Sequence, residues 1–531
     1  MPRPAQWEGR LIGSLLDEAV ARRPDAPAVV DGGVTISYAE LDRMVTSVVD
    51  GLRGVGVGAG DVVLVDLPNW WEAVVTFHAV ARMGAVVNPV IPIYRRAELS
   101  FIVGQAQPAA ILIPGRFGRT DYLALVDEVL AGRTGPERPT VVVVRPEGPP
   151  PGGPPPGGPP PGDFTTFDQL LLAPPALPPA PADLDPTEVA LLLYTSGTTA
   201  DPKGVLHSSE TLVYECRSIL DLFELGPDDH IFMGSPVTHI TGFLYGFILP
   251  ALGGQAVALL DVWNAAAAVE LIERTGCRFA VGATPFLRDL TDEHVRRGTT
   301  SSLFHFVCGG ADVPPGLVEQ ATGVLDANVC RAYGSSEFPT ATSSSPGDSL
   351  AKKAYTDGCA IGPVDIRLDE QVDGVGELLV KGPDLFHGYL DARLNADSFT
   401  ADGFFRTGDL ASVDGDGFVT IRGRKKDIII RNGENISARE VEDLLFHHPR
   451  VADVAVVAVP DPVTGERACA FVVPVGGPDL VLADVVEHLR ATGIATQKLP
   501  ERLELVDELP RTASGKVQKY LLRQRAEAGG G

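Results

Sequence analysis

YTSGTTADPKGV, at residues 194–205, crowds four hydroxyl side chains after its tyrosine, two glycines and a single lysine into one short loop. Gly197 and Gly204 let the backbone turn sharply and bring its N–H groups close to an anion. Thr195, Ser196, Thr198 and Thr199 add hydroxyl donors, and Lys203 supplies a mobile positive charge. Such a loop suits a polyphosphate. The apolar run before it, VALLLY at 189–194, reads as a buried strand that ends where the polar chemistry begins. A Walker loop requires Gly-Lys followed by Ser or Thr, whereas here Pro202 precedes Lys203 and Gly204 follows it, so that reading fails.

The rest of the chain sets the context. With 531 residues it is too long for one hydrophobic core and is expected to form at least two domains. Its 44% hydrophobic and 21% charged residues are those of an ordinary globular protein. A net charge of -25 opposes binding to nucleic acid or anionic membranes, so any bound polyphosphate must be held by a local cluster of donors. The six cysteines form no CxxC pair and no metal-ligand spacing with histidine, which points to reduced, buried thiols. The N-terminus has no apolar stretch suited to a signal peptide and no run approaches transmembrane length, so a cytoplasmic location is expected.

Strand-like runs such as DVVLVDL at 61–67 alternate with helix-like stretches such as 70–83, which indicates an α/β architecture. Residues 148–162 collapse into repeated Pro-Pro-Pro-Gly-Gly, and 173–186 is again rich in proline. The first segment reads either as a polyproline II ligand or as a solvated insertion between strands. The second reads as a stiff connector into the strand before the phosphate loop.

Further motifs follow in order along nearly the whole chain: SYAELD (37–42), GAVVNPVIPIYRRAEL (84–99), CGGAD (308–312), RAYGSSE (331–337), GELLVKGPDLFHGYL (376–390), RTGDL (406–410), GRKKD (423–427) and PRTASGK (510–516). Together with the phosphate loop they resemble the signature series of the adenylate-forming superfamily, which includes acyl-CoA synthetases, peptide-synthetase adenylation domains and beetle luciferases. The resemblance implies a large N-terminal domain of sheets and helices over 1–426 and a small, mobile α+β domain over 427–531.

It also implies roles. Gly309, Gly310 and Ala311 lie beside the adenine, and Tyr333 offers it an aromatic face, with Gly334, Ser335 and Ser336 around the nucleotide. The missing side chain of Gly334 is read as room for that nucleotide. Glu337 is an oxygen ligand suited to Mg²⁺, which keeps few protein ligands and relies on substrate phosphates for the rest. Asp409, in a Thr-Gly-Asp turn, matches the acceptor of the ribose hydroxyls, and Arg424 the second ribose and phosphate contact. Lys516 matches the catalytic lysine, which offsets repulsion between the substrate carboxylate and the α-phosphate. Lys426 matches the interdomain hinge, although Lys425 and Lys426 are also what the end of a hairpin looks like. Gly433 matches a position that leaves room for the pantetheine arm of CoA.

The stretch 231–260 contains no acidic side chain and no Lys or Arg, and holds PVTHITGFLYGFILPALGG at 236–254. It reads as an acyl pocket for an apolar acid. His239 stands at the family's gate beside the carboxylate, or is a satisfied core histidine. Gly242, Phe243 and Gly246 are pocket candidates, and the two glycines serve equally well for helix packing. The local resemblance is to bacterial ligases for medium-chain and cyclohexane-type carboxylates. The implied reaction consumes ATP with Mg²⁺, forms acyl-AMP with loss of pyrophosphate, and passes the acyl group to coenzyme A. A stand-alone adenylating enzyme that loads a carrier-protein thiol is the alternative, and a homodimer is left open.

Overall fold

In a computed structural model, residues 4–133, 138–146, 164–172, 184–195, 202–310, 313–431, 434–511 and 516–528 are described. The proline-glycine insertion, Ser196, Gly197, Thr198, Thr199, Ala311 and Gly433 lie outside these residues. The chain divides into two compact units, one of Met1–Ser349, Ile361–Val364 and Gly382–Ala396, the other of Leu350–Ala360, Asp365–Lys381 and Asp397–Gly531.

The first unit is built on two largely parallel sheets. One runs, in spatial order, Thr342–Ser343, Asn328–Tyr333, His305–Cys308, Cys277–Gly282, His230–Met233, Val257–Leu259, Pro27–Asp31 and Val34–Ser37. The other runs Lys203–Ser208, Val189–Thr195, Val86–Pro89, Val62–Val65, Ala110–Pro114, Thr140–Val144 and Thr165–Thr166. The helix Tyr38–Gly54 leads from Val34–Ser37 of the one sheet to Val62–Val65 of the other, and Trp71–Arg82 is the crossover that the parallel strands Val62–Val65 and Val86–Pro89 need. Ser37 and Glu40 of SYAELD make a reciprocal capping box at the start of the first, so this motif specifies a helix start. One core joins both sheets: Val63 and Val65 of one share it with Val29 and Ile231 of the other. At its centre Phe77 meets Phe243 with ring centroids 5.1 Å apart and Phe247 at 5.6 Å. Tyr38 is buried there too, its hydroxyl donating to the carbonyls of Pro250 at 2.8 Å and Gln255 at 2.6 Å.

The second unit opens with a four-stranded antiparallel sheet ordered Asp365–Val372, Val375–Lys381, Phe405–Val413 and Val419–Arg424. A further sheet joins Glu434–Ser437, Ile428–Arg431, Gly465–Pro474 and Val451–Asp461, with Arg502–Leu505 parallel to Gly465–Pro474. Two apolar clusters cover its faces, one with Ala438–Leu445 and Leu482–Ala491, the other with Lys519–Ala528. No helix of the described residues is long and apolar enough to cross a membrane.

One buried group runs against the logic of these cores. Asp66 is fully buried, neither carboxyl oxygen has a hydrogen-bond partner, and it lines a cavity of about 10 Å³ with Leu64, Leu99, Val103, Ile111 and Ile113. Burial pushes its pKa well above the ordinary 3.8, with Arg95 opposing weakly. Because the folded value is the higher one, the neutral carboxyl's contribution is intact below 3.8 and is lost as pH climbs toward the raised value. Denaturation midpoints of the natural chain are therefore expected to fall, relative to Asp66→Leu, as pH rises from about 4 to about 8. Parallel midpoints across that range would show that Asp66 is solvated or paired.

Candidate active site

The phosphate loop is held at both ends by strand pairing. Val189–Thr195 and Lys203–Ser208 are antiparallel, and their last facing pair is Thr195 with Lys203. The other edge of Lys203–Ser208 is gripped as well. Leu390 N donates to Gly204 O at 2.8 Å, Leu206 N to Gly388 O at 3.1 Å and His387 N to Leu206 O at 2.8 Å. That contact brings the end of GELLVKGPDLFHGYL against the loop. Lys203 Nζ sits 5.1 Å over the ring of Tyr389, a cation–π contact. The Tyr389 hydroxyl in turn donates to Glu337 Oε1 at 2.7 Å. Lysine, tyrosine and acid thus form one connected series. Tyr389 has a motif signal in the sequence, but its role is visible only once the strand pairing is known.

Tyr333 ends its strand at the carboxyl edge of the parallel sheet, where ligands of open α/β sheets collect. Gly309 and Gly310 follow the neighbouring strand His305–Cys308 at the same edge, and His239 follows His230–Met233. A Cβ on Gly309 would lie 2.7 Å from the Ala332 carbonyl, and Gly310 has φ +77°, so both positions favour glycine. Gly334 departs from its expected role. A Cβ there would meet the Pro339 carbonyl at 1.8 Å, so the missing side chain admits the chain's own turn and leaves no free space. Within that turn Ser335 N donates to Phe338 O at 2.8 Å, and Ser335 Oγ accepts from Glu337 N and Phe338 N, each at 3.2 Å. Ser335 therefore shapes the backbone that presents Glu337.

His207 is a member of this site with no motif signal. It is buried in the phosphate strand, where Nε2 lies 2.7 Å from the Ser336 carbonyl and Nδ1 lies 3.1 Å from Thr211 Oγ1. Burial pushes it down to about 4, so the ring is neutral and ties the phosphate strand to the residue before Glu337.

A single carboxylate such as Glu337, with one oxygen held by Tyr389, fits a Mg²⁺ ion that arrives with phosphate ligands of its own. Among the described residues no group of three or more His, Cys, Asp or Glu side chains could hold a metal unaided.

The pocket candidates divide. His239 caps the short helix Ile240–Phe243, its Nδ1 accepting from Thr241 N at 3.4 Å. Phe243 is wholly buried against Phe77 and Phe247, so it belongs to the core. The place beside Gly242 is taken by the Pro236 carbonyl, which a Cβ would meet at 2.0 Å. Gly242 serves backbone packing. Gly246 faces Met233 Cγ at 3.2 Å, a tight approach, and Val237 Cγ1 at 3.4 Å, two side chains buried in the core.

In the second unit Asp409 and Arg424 face each other across the strands Phe405–Val413 and Val419–Arg424, with Arg424 Nε 3.1 Å from Asp409 Oδ1. The expected Thr-Gly-Asp turn is a bulge inside a strand. The register shifts opposite Glu377–Leu379, Gly408 has φ +70°, and Thr407 Oγ1 donates to Leu378 O at 2.7 Å while accepting from Asp409 N at 3.1 Å. Lys426 sits in the 3₁₀ turn Lys425–Asp427 that joins Val419–Arg424 to Ile428–Arg431. The flanking side chains are fixed: Lys425 pairs with Glu370 and Glu377, and Asp427 with Arg523. Lys516 precedes Val517, whose bridge to Arg511 closes the loop it belongs to, and Arg511 pairs with Asp453 at 2.5 Å.

Residues 16–390 match the family model described as AMP-binding enzyme, and residues 440–516 match the AMP-binding enzyme C-terminal domain. The chain belongs to the AMP-binding enzyme family. It is 33% identical over 531 residues to the medium-chain fatty-acid–CoA ligase of Escherichia coli (strain K12), covering 98% of this chain and 91% of that one. It is 31% identical over 542 residues to a salicyl-AMP ligase / salicyl-S-ArCP synthetase of Mycobacterium tuberculosis, covering 99% and 92%. Among solved structures, ATP-bound MatB from Rhodopseudomonas palustris superposes with a TM-score of 0.84 at 26% identity, over 97% of this chain and 99% of that one. The protein is an enzyme of the acyl-CoA synthetase branch, an ATP-dependent acid–thiol ligase whose working set is ATP, Mg²⁺ and CoA.

Tyr389→Phe removes the hydrogen bond that fixes Glu337 but keeps the ring under Lys203. We expect the Mg²⁺ concentration for half-maximal activity to rise roughly 10-fold, with the acid KM little changed. An unchanged Mg²⁺ requirement would show that the hydroxyl does not orient Glu337.

Proposed function

We propose that this ligase activates an apolar carboxylic acid, medium-chain, alicyclic or bulky polycyclic, as its acyl-AMP and transfers the acyl group to CoA. The observation that carries the reading is the carboxyl edge of the parallel sheet. His239 and Gly309 follow strand ends there and Tyr333 ends its strand, while the stretch 231–260 holds no carboxylate to pair a substrate ammonium.

The steps follow from charge. A carboxylate is a poor electrophile and is repelled by the α-phosphate it must attack. Thr195, Lys203 and the loop between them hold the triphosphate so that pyrophosphate can leave. Glu337 holds the metal, which neutralises phosphate charge when bound. Lys516 stabilises the charge that builds on the pentacoordinate phosphorus, and His239 stands beside the incoming carboxylate. Asp409 and Arg424 hold the ribose, and Tyr333 the adenine, so the mixed anhydride stays in place until a thiol attacks its carbonyl and AMP leaves. Lys516 is needed in the first half and the thiol needs an open path in the second. A hinge at Lys426, between a domain over 1–426 and one over 427–531, meets both needs, and Gly433, by its match to the family, leaves room for the pantetheine arm. Loading of a carrier-protein thiol is a second reading, favoured by the name of the Mycobacterium tuberculosis relative. The six cysteines, five of them buried, support a reducing, cytoplasmic setting.

Pyrophosphate release with a panel of apolar acids, run without thiol, with CoA and with a carrier protein, tests this directly when products are identified by mass. Adenylate formation with at least one apolar acid and thioester formation with CoA are expected. Transfer to the carrier alone would favour the second reading, and release with none of the acids would defeat the substrate class. Lys516→Ala is expected to slow adenylation by on the order of 10² or more while ATP binding stays nearly intact. Lost ATP affinity with unchanged turnover would contradict its role.

A further inference from the structure

Behind the phosphate strand lies a buried acidic node that the reaction as described leaves unused. Glu215, in the helix Ser209–Leu222 that follows Lys203–Ser208, is fully buried. Its Oε1 accepts from Tyr245 at 2.5 Å and from Thr340 at 2.6 Å, and those two hydroxyls lie 2.9 Å apart. Tyr245 is in the π-helical turn Leu244–Ile248, an irregularity that costs helix geometry and is characteristic of functional segments. The carboxyl of Asp384, 1% exposed, meets that of Glu215. Glu215 Oε2 and Asp384 Oδ1 are buried and accept no hydrogen bond from any donor. Two carboxylates cannot share a dry contact with both ionised, so a proton must lie between them. Glu215 already accepts two hydroxyl bonds and is the ionised member; Asp384 holds the proton.

The position of this node is what gives it a role. Thr340 is three residues beyond Glu337, Asp384 is five residues before Tyr389, and Tyr245 is six beyond His239. One shared proton therefore ties the helix behind the phosphate strand to the metal-binding loop, to the segment that orients Glu337 and to the segment that carries His239. We propose that Glu215 and Asp384 are positioning residues for nucleotide activation, a proton-sharing pair that holds the Glu337 loop and the Tyr389 segment in register with the phosphate strand. The proposal rests on the adenylating function above and adds a pH limit to it.

The titratable groups that bear on the pair are Tyr214 and Cys216 on its own helix and Tyr245 on the π-helical turn, while Thr340 faces it from the loop. All of these are neutral near pH 7, so ionisation of the pair meets mutual repulsion. Burial raises both carboxyls, and the charge of Glu215 raises Asp384 further, whereas hydrogen bonds from Thr340, Tyr245 and Asp384 pull Glu215 back down. As pH rises the shared proton is lost, the two charges repel, and the two segments part.

Calorimetry of Mg·ATP binding to the full chain, from about pH 6.5 to about pH 9.5, tests this with Asp384→Asn and Asp384→Ala. The asparagine amide replaces the shared proton permanently, whereas alanine leaves Glu215 without its partner. Affinity of the natural chain is expected to fall as pH rises. Asp384→Ala is expected to lose roughly 10- to 100-fold at every pH, and Asp384→Asn to recover most of that loss with a flattened pH dependence. Asparagine no better than alanine, or an asparagine variant with the natural pH slope, would overturn the pair's role. A natural chain that binds no Mg·ATP would instead defeat the adenylating function. The pair is then read from denaturation midpoints, which should fall with pH in the natural chain relative to Asp384→Asn, and equal slopes would overturn it.

Discussion

The strand Lys203–Ser208 is hydrogen-bonded along both edges, and the arrangement of the nucleotide site depends on that double pairing. On one side Val189–Thr195 fixes the two ends of the phosphate loop, with Thr195 facing Lys203. On the other side Gly388 and Leu390 bond to Leu206 and Gly204, which sets Tyr389 under Lys203 and against Glu337. Gly204 permits the close fit, since a Cβ there would stand 2.9 Å from Leu192 Cδ1 and 3.2 Å from Leu390 Cβ. The same strand carries His207, which reaches the Ser336 carbonyl. One strand thus brings cation, aromatic ring and acid into register, and its backbone bonds cannot be lost singly without leaving buried polar groups unpaired.

Charge explains why such a framework is needed. A chain with a net charge of -25 offers no general attraction to a triphosphate, so affinity has to come from donors at fixed positions. The site meets this with backbone geometry and few cations. Glu337 is oriented by the Tyr389 hydroxyl, and His207 is held neutral by burial. Preorganised groups of this kind need no rearrangement when charge develops on the phosphate, which is where electrostatic catalysis gains most.

The fold class, the strand before the phosphate loop and the helix start at Ser37 were legible because each rests on local pattern: an apolar run, a turn-rich loop, a capping box. The ordered motifs rest on local pattern as well, and they single out Lys203, Glu337 and Asp409 as candidates without showing what those side chains touch. What the sequence could not carry is contact between distant segments. Gly334 read as room for a ligand, yet its space belongs to the Pro339 carbonyl, five residues on. Phe243 and Gly242 read as pocket lining from the apolar composition of 231–260, but composition does not tell which face of a short helix meets the core. Thr407–Asp409 read as a turn from its Thr-Gly-Asp run, and a bulge in a paired strand, with Gly408 at φ +70°, accepts the same residues. His207, Tyr245, Glu215 and Asp384 stand far apart in sequence, and nothing local marks them as one network.

The central claim is that the acid's own oxygen attacks the α-phosphorus. An apolar acid labelled with ¹⁸O in both carboxyl positions tests it by mass analysis of the products of a single turnover with ATP and CoA. Attack at the α-phosphorus leaves one labelled oxygen in AMP, one in the thioester carbonyl and none in pyrophosphate. Label in pyrophosphate or inorganic phosphate, with unlabelled AMP, would mean that the acid is activated at another phosphorus and would contradict the account.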